Sequence, residues 1–189
     1  FVSVGSLVVA QNQAANVSVT PNTNLDIPGG ITIGLRDAGT FTQTGGSIRT
    51  TNTRISGGSA VYNLIGGHLD LTSISNNSLF LGDVSGGGVL NISGGGSITI
   101  GREFQLSDSV FTFENGNISN IGGLLTVGFN ANTHAEVTVS DGHTLNVGSL
   151  EVAPIRTGSS GVYTQNGGLV TISGNTAMAL ALTTDTDAE

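Results

Sequence analysis

The chain of 189 residues contains no cysteine, no tryptophan and no lysine. Without Cys there is no disulfide framework and no thiolate metal site. Without Lys, the five basic residues are all Arg (Arg36, Arg49, Arg54, Arg102 and Arg156) against 13 acids, which gives a net charge of −8 and a pI near 4.5. Nucleic acids and anionic membrane surfaces are held by clusters of Lys and Arg, so neither is an expected partner. No apolar run approaches the 18 residues that a membrane-spanning helix needs, so no membrane span is expected. Only three prolines are present, too few for a Pro-rich linker. No segment holds a sustained 3.6-residue apolar period, so helices are not expected either.

What is abundant is glycine, at 30 residues, beside Thr, Ser and Asn, which together with it make up nearly half the chain. Gly does not fall at every third position, so collagen is excluded. Apolar residues still reach 37% and the mean hydropathy is +0.19, more than a disordered polar chain carries. The sequence therefore has a core to bury.

The core is written as a repeat. Six copies run Thr40-Phe41-Thr42-Gln43-Thr44-Gly45-Gly46, Val61-Tyr62-Asn63-Leu64-Ile65-Gly66-Gly67, Val89-Leu90-Asn91-Ile92-Ser93-Gly94-Gly95, Val110-Phe111-Thr112-Phe113-Glu114-Asn115-Gly116, Glu136-Val137-Thr138-Val139-Ser140-Asp141-Gly142 and Val162-Tyr163-Thr164-Gln165-Asn166-Gly167-Gly168. Side chains alternate faces along a strand with period two. Phe41, Tyr62, Leu90, Phe111, Val137 and Tyr163 thus form an inward column, and Thr42, Asn63, Asn91, Thr112, Thr138 and Thr164 an outward one. Two shorter apolar runs follow each copy, as in Leu69-Asp70-Leu71 and Leu79-Phe80-Leu81. Three short strands per coil and Gly or Asn at the corners, where φ > 0 costs least, predict an all-β fold. It is a parallel β-helix (β-solenoid) of about six to seven coils. An antiparallel sandwich explains the alternation but not the identity of columns between copies.

The stretches Gly82 to Gly101 and Gly128 to Gly148, of the form L-x-V-G … L-x-I-S-G-G … I-x-I-G, resemble the β-strand repeats of bacterial autotransporter passenger domains and of exported PEP-CTERM-type proteins. The resemblance spans roughly residues 25–175. It implies an exported protein, secreted or held at the cell surface, with a structural or adhesive task. Neither the membrane barrel nor the C-terminal sorting helix of those families occurs in the 189 residues. The chain opens on Phe rather than Met, as expected of a processed or excised polypeptide.

Candidate chemistry is sparse. β-Helical enzymes that cut acidic polysaccharides cluster Asp for Ca²⁺ and use Lys or Arg against the uronate. Here Asp70, Asp83, Asp108 and Asp141 fall in turns of different coils, so a polysaccharide-acting enzyme is the least favoured function. His134, Asp141 and His143 lie close in sequence, but no third ligand or nucleophile accompanies them at a meaningful spacing. No cofactor, metal or catalytic residue is expected, and the chain reads as a non-enzyme.

The ends are more informative. Residues 1–24 are an apolar strand segment without charge, suited to a cap or to joining subunits; residues 25–175 are the solenoid repeats; residues 176–189 are a last strand and an acidic tail. A solenoid leaves open strand edges at each end, and open edges template pairing. The candidate assembly residues are Val2, Val4, Leu7, Val9, Val17 and Val19 at one end and Met178, Leu180 and Leu182 at the other. Residues 1–95 carry three Arg and four Asp, while 96–189 carry two Arg and nine acids. Joining unlike ends avoids the repulsion of two acidic halves. The expectation is an extracellular structural protein that assembles head to tail into a filament, matrix or surface layer. The alternative is an adhesin whose partner is a glycan or cell surface.

Overall fold

The computed structural model describes residues 2–10, 13–35, 37–57, 59–72, 77–83, 86–113, 118–153, 157–174, 178–180 and 187–188. All regular elements among them are strands, and all strand-to-strand pairings are parallel. The first rung is β1 (Val2–Ser3), β2 (Leu7–Val9) and β3 (Ala15–Val19); the second is β4 (Asn24–Ile27), β5 (Ile31–Ile33) and β6 (Gly39–Gln43). Next come β7 (Ser47–Thr50), β8 (Asn52–Ile55) and β9 (Ala60–Ile65), then β10 (His68–Leu71), β11 (Ser78–Leu81) and β12 (Gly88–Ser93), then β13 (Ser97–Ile100), β14 (Glu103–Leu106) and β15 (Ser109–Phe113). In the last part of the chain β16 (Ile118–Val127) and β18 (Thr144–Val152) each bend across two faces, followed by β17 (His134–Ser140) and β19 (Ser160–Asn166) on the third. A short rung of β20 (Leu169–Ile172), β21 (Met178–Leu180) and β22 (Asp187–Ala188) completes the series. Six full rungs lie between two short ones, and the expected three-faced β-solenoid is the fold.

The columns read from the sequence are register partners. Val17 pairs with Phe41, Phe41 with Tyr62 and Tyr62 with Leu90; Phe111 pairs with Val137 and Val137 with Tyr163. From Phe41 through Val137 this column is buried. Phe41 and Tyr62 meet edge to face with ring centroids 4.9 Å apart, a favoured geometry for a ring pair. The Tyr62 hydroxyl donates to Gln43 Oε1 at 2.7 Å, and burial pushes its ionisation above the usual phenol range. Gln43 is itself fully buried, with its amide nitrogen shared among the carbonyls of Gly45, Gly46 and His68. A buried polar residue is thereby satisfied by the corners of two rungs. Outside, the Asn91 amide donates to Asn63 Oδ1 at 2.8 Å within the outward column, and on the face of β16 and β18 Asn146 donates to Asn120 at 2.9 Å.

The repeated corner has a backbone reason for its glycine. Gly46, Gly67, Gly95, Gly142 and Gly168 occupy one corner position in five of the six copies, and all have positive φ, where only Gly is free of a Cβ clash. A side chain at Gly46 would also run into the Thr23 carbonyl of the rung below.

One face departs from the expected continuous stack. The third face is two four-stranded sheets, β3-β6-β9-β12 and β15-β17-β19-β22, and β12 does not pair with β15. Leu90 and Phe111, neighbours in the sequence-derived column, are therefore not register partners, and Tyr62 and Phe111 stand on opposite sides of a seam. The seam falls at the shortest corner leading into this face. Only Ser107 and Asp108 lie between β14 and β15, whereas the other corners entering this face are longer (10–14, 34–38, 56–59, 82–87, 128–133 and 153–159). Behind the seam Phe111 packs edge to face on Phe113, centroids 4.5 Å apart, and on Phe104 at 5.4 Å.

Two measurements check this arrangement. Phe111→Ala should cost about 3–5 kcal/mol by cavity formation, while Val110→Ala, one residue away and 60% exposed, should stay within about 0.5 kcal/mol in the same denaturant melts. The strand alternation points the Leu90 and Ile92 amides at the seam. Their hydrogen exchange, followed by NMR, should therefore be faster than that of Tyr62 and Leu64, whose amides face β12.

Candidate functional site

The apolar lumen opens at the N-terminal end. β1, β2 and β3 each pair on one side only, with β4, β5 and β6, and among the described residues no strand covers their outer edges. The bonds present fix which backbone groups are left. Val4 N–H donates to Asp26 O at 2.9 Å, Leu7 N–H to Gly30 O at 3.1 Å and Ala15 N–H to Ala38 O at 3.2 Å. Backbone direction alternates along a strand, so Ser3, Val8, Asn16 and Ser18 turn their N–H and C=O groups away from the body. Proteins usually blunt such edges with charge, proline or a covering element. Here the first charged residue is Asp26 and no proline precedes Pro21.

Inside this ring of edges lies a cavity of about 270 Å³ whose walls include Val4, Leu7, Val17 and Val19, with Leu25, Ile27 and Phe41 deeper in the lumen. Four of the six N-terminal candidates thus line the mouth. Val2 stands outside it at 62% exposure, and Val9 is buried as part of the core. Val8, an apolar residue of this segment outside the candidate set, is 45% exposed. Its place between Leu7 and Val9 in an alternating strand is the signal that would have found it.

At the other end the candidates are strand partners within the chain. Met178 and Leu180 stand opposite Leu150 and Val152 on β18; Leu182 lies outside the described residues. On the last full rung Gln165, in the inward column position of the buried Gln43, is exposed. The Tyr163 hydroxyl above Val137 is buried without a hydrogen-bond partner, and burial raises its pKa. Val139 stands where Gln43 serves Tyr62, so the neighbouring rung has no amide to offer it.

The histidines separate. His143 is buried, its ring 5.1 Å from that of Phe113, and Asp141 accepts from the Gly142 amide at 2.9 Å as a turn residue. His134 Nδ1 lies 2.8 Å from Ser160 Oγ, and its Nε2 lies 2.9 Å from Glu136 Oε1. The sequence reading missed this Ser-His-Glu line because Ser160 arrives by register from the next rung. The His and Glu side chains are 48% and 46% exposed, so solvent reaches both and nothing shields a reacting group. The line is a surface rung of hydrogen bonds. Among the described residues no three His, Asp or Glu side chains converge on a metal-sized site, and no helix is long and apolar enough to cross a membrane.

No family model, curated protein or solved structure matches the chain. The geometry of its own ends and faces is what speaks to function.

Proposed function

We propose that the protein is a structural component outside the cell that assembles head to tail, the open N-terminal rung of one copy stacking on the C-terminal rung of the next. The observation that carries this reading is the pairing of three free, uncharged strand edges with an unfilled apolar mouth. The edges supply backbone hydrogen bonds in the geometry that already joins every rung to its neighbour. The mouth supplies apolar surface whose removal from water favours contact at about 25 cal/mol per Å². Charge agrees with it, since the near-neutral half of one copy meets the acidic half of another. A contact between unlike ends is heterologous, and where it does not close it propagates as a filament. The export implied by the Gly-rich repeat resemblance fits a polymer built without lysine or cysteine.

The double variant Val4→Asp/Leu7→Asp places charge in the mouth and leaves rungs two to eight untouched. Sedimentation velocity across a concentration series should show growing assemblies for the parent protein and a monomer for the variant, with unchanged β-rich circular dichroism. A parent that stays monomeric at millimolar concentration rejects the reading.

A further inference from the structure

The three faces of the solenoid differ in charge. On the first, Asp26, Arg49 and Asp70 are successive register partners, and strands of the second carry Arg54, Glu103 and Glu151. On the third, none of β3, β6, β9, β12 and β15 contains a charged residue. The first charges on this face among the described residues are His134 and Glu136 of β17; Glu114, just after β15, lies outside the described residues. In a chain of net charge −8, an uncharged face is where a second copy approaches with least repulsion.

The same face is apolar where it meets water. Ile65, Val89 and Val110 are 44%, 44% and 60% exposed, a grouping that marks contact surfaces. Of the amides between them, that of Asn91 is already turned along the rungs to Asn63 Oδ1. At the seam the surface is indented by a cavity of about 270 Å³, whose described walls are uncharged and include Val89, Asn91, Val110 and Thr112.

We propose that this face packs on the same face of a second copy, so that head-to-tail filaments pair side by side with their axes antiparallel. The order of one outward row sets the orientation. It runs Thr40, Val61, Val89 up to the seam and Val110, Glu136 beyond it, and is balanced about Val89. A two-fold axis at Val89 sets Val61 of each copy against Val110 and the seam cavity of the other, and Glu136 against Thr40. A parallel pair would instead set Glu136 against Glu136, a repulsive contact. Identical sheets whose amides are occupied along the rungs pack face to face with little trapped water.

Size separates this contact from the end-to-end one. Five strands about 4.8 Å apart, each with about five residues at about 3.3 Å, present about 400 Å² per copy. A pair buries about 800 Å², the scale of weak contacts and short of a stable dimer. Single copies therefore stay apart, whereas a filament repeats the contact along its length and the contacts reinforce one another. The pairing thus rests on the head-to-tail reading, and it stops at two filaments because the other two faces are charged.

Electron microscopy of filaments grown from the full chain, with mass per length measured on unstained images, tests it. The parent should form paired filaments. Val110→Glu, at an exposed position, should form single ones, a twofold fall in mass per length with unchanged circular dichroism, and Val89→Glu should do the same. Adding Val61→Arg to Val110→Glu should restore the pairs, because the two-fold sets each Arg against a Glu of the other filament. Single filaments of the parent, paired filaments of both Glu variants, or a Val61→Arg/Val110→Glu protein that stays single overturns the pairing while head-to-tail assembly stands. A parent that forms no filament rejects both.

Discussion

Each rung of this solenoid satisfies its backbone only through the rungs on either side. Hydrogen bonds run along the axis, so no strand closes its own account, and a terminal rung is left with half its edge groups unmatched. That constraint organises the rest of the molecule. It explains why small residues recur where the third strand begins (Ala15, Gly39, Ala60, Gly88, Ser109, Ala135 and Gly161 in successive rungs). Close approach to the corner below is the condition for stacking, and a Cβ at Gly88 would collide with the Ile55 carbonyl. Ser109 fits the same column by donating its hydroxyl to Leu81 O at 2.7 Å. The same constraint leaves the outer edges of β1, β2 and β3 without a strand partner among the described residues.

The corners vary along the stack far more than the strands do. β15 follows a two-residue corner and β17 a six-residue one, yet the two strands pair in register. Where a two-residue corner follows a six-residue one, the third face opens between β12 and β15 although the other two faces stay continuous. On the second face the corner after β16 performs another task, bringing Phe129 over the sheet beside Gln105. A solenoid is uniform in its strands and individual in its corners, and the individual features of this chain are found there.

The division between what was legible in the sequence and what was not follows the same line. Strand period and column identity are local and repeated, so Phe41 with Tyr62 and Val137 with Tyr163 could be paired by eye. The seam could not, because Leu90 and Phe111 fit the same pattern although β12 and β15 do not pair. The mouth residues Val4, Leu7, Val17 and Val19 were legible as uncharged apolar positions in the first rung. Which of them would face the lumen depended on register with β4 to β6, and Val9 turned out to be core. Gln105 and Phe129 carried no signal in sequence, since one sits in an ordinary outward position and the other in a corner. Their relation appears only when rungs are stacked. Ser160 beside His134 is the same case.

The central claim, that the first rung is an unfinished edge completed by another copy, is tested most directly by amide hydrogen exchange at Val8, Asn16 and Ser18 as protein concentration rises. In dilute solution these amides should exchange nearly as freely as an unstructured chain while Val9 and Val19 are protected. At concentrations where assemblies form, all three should gain protection together, as free edges become ladder bonds. Exchange at these positions that stays fast while the protein assembles, or that is already slow in the isolated monomer, would contradict the account.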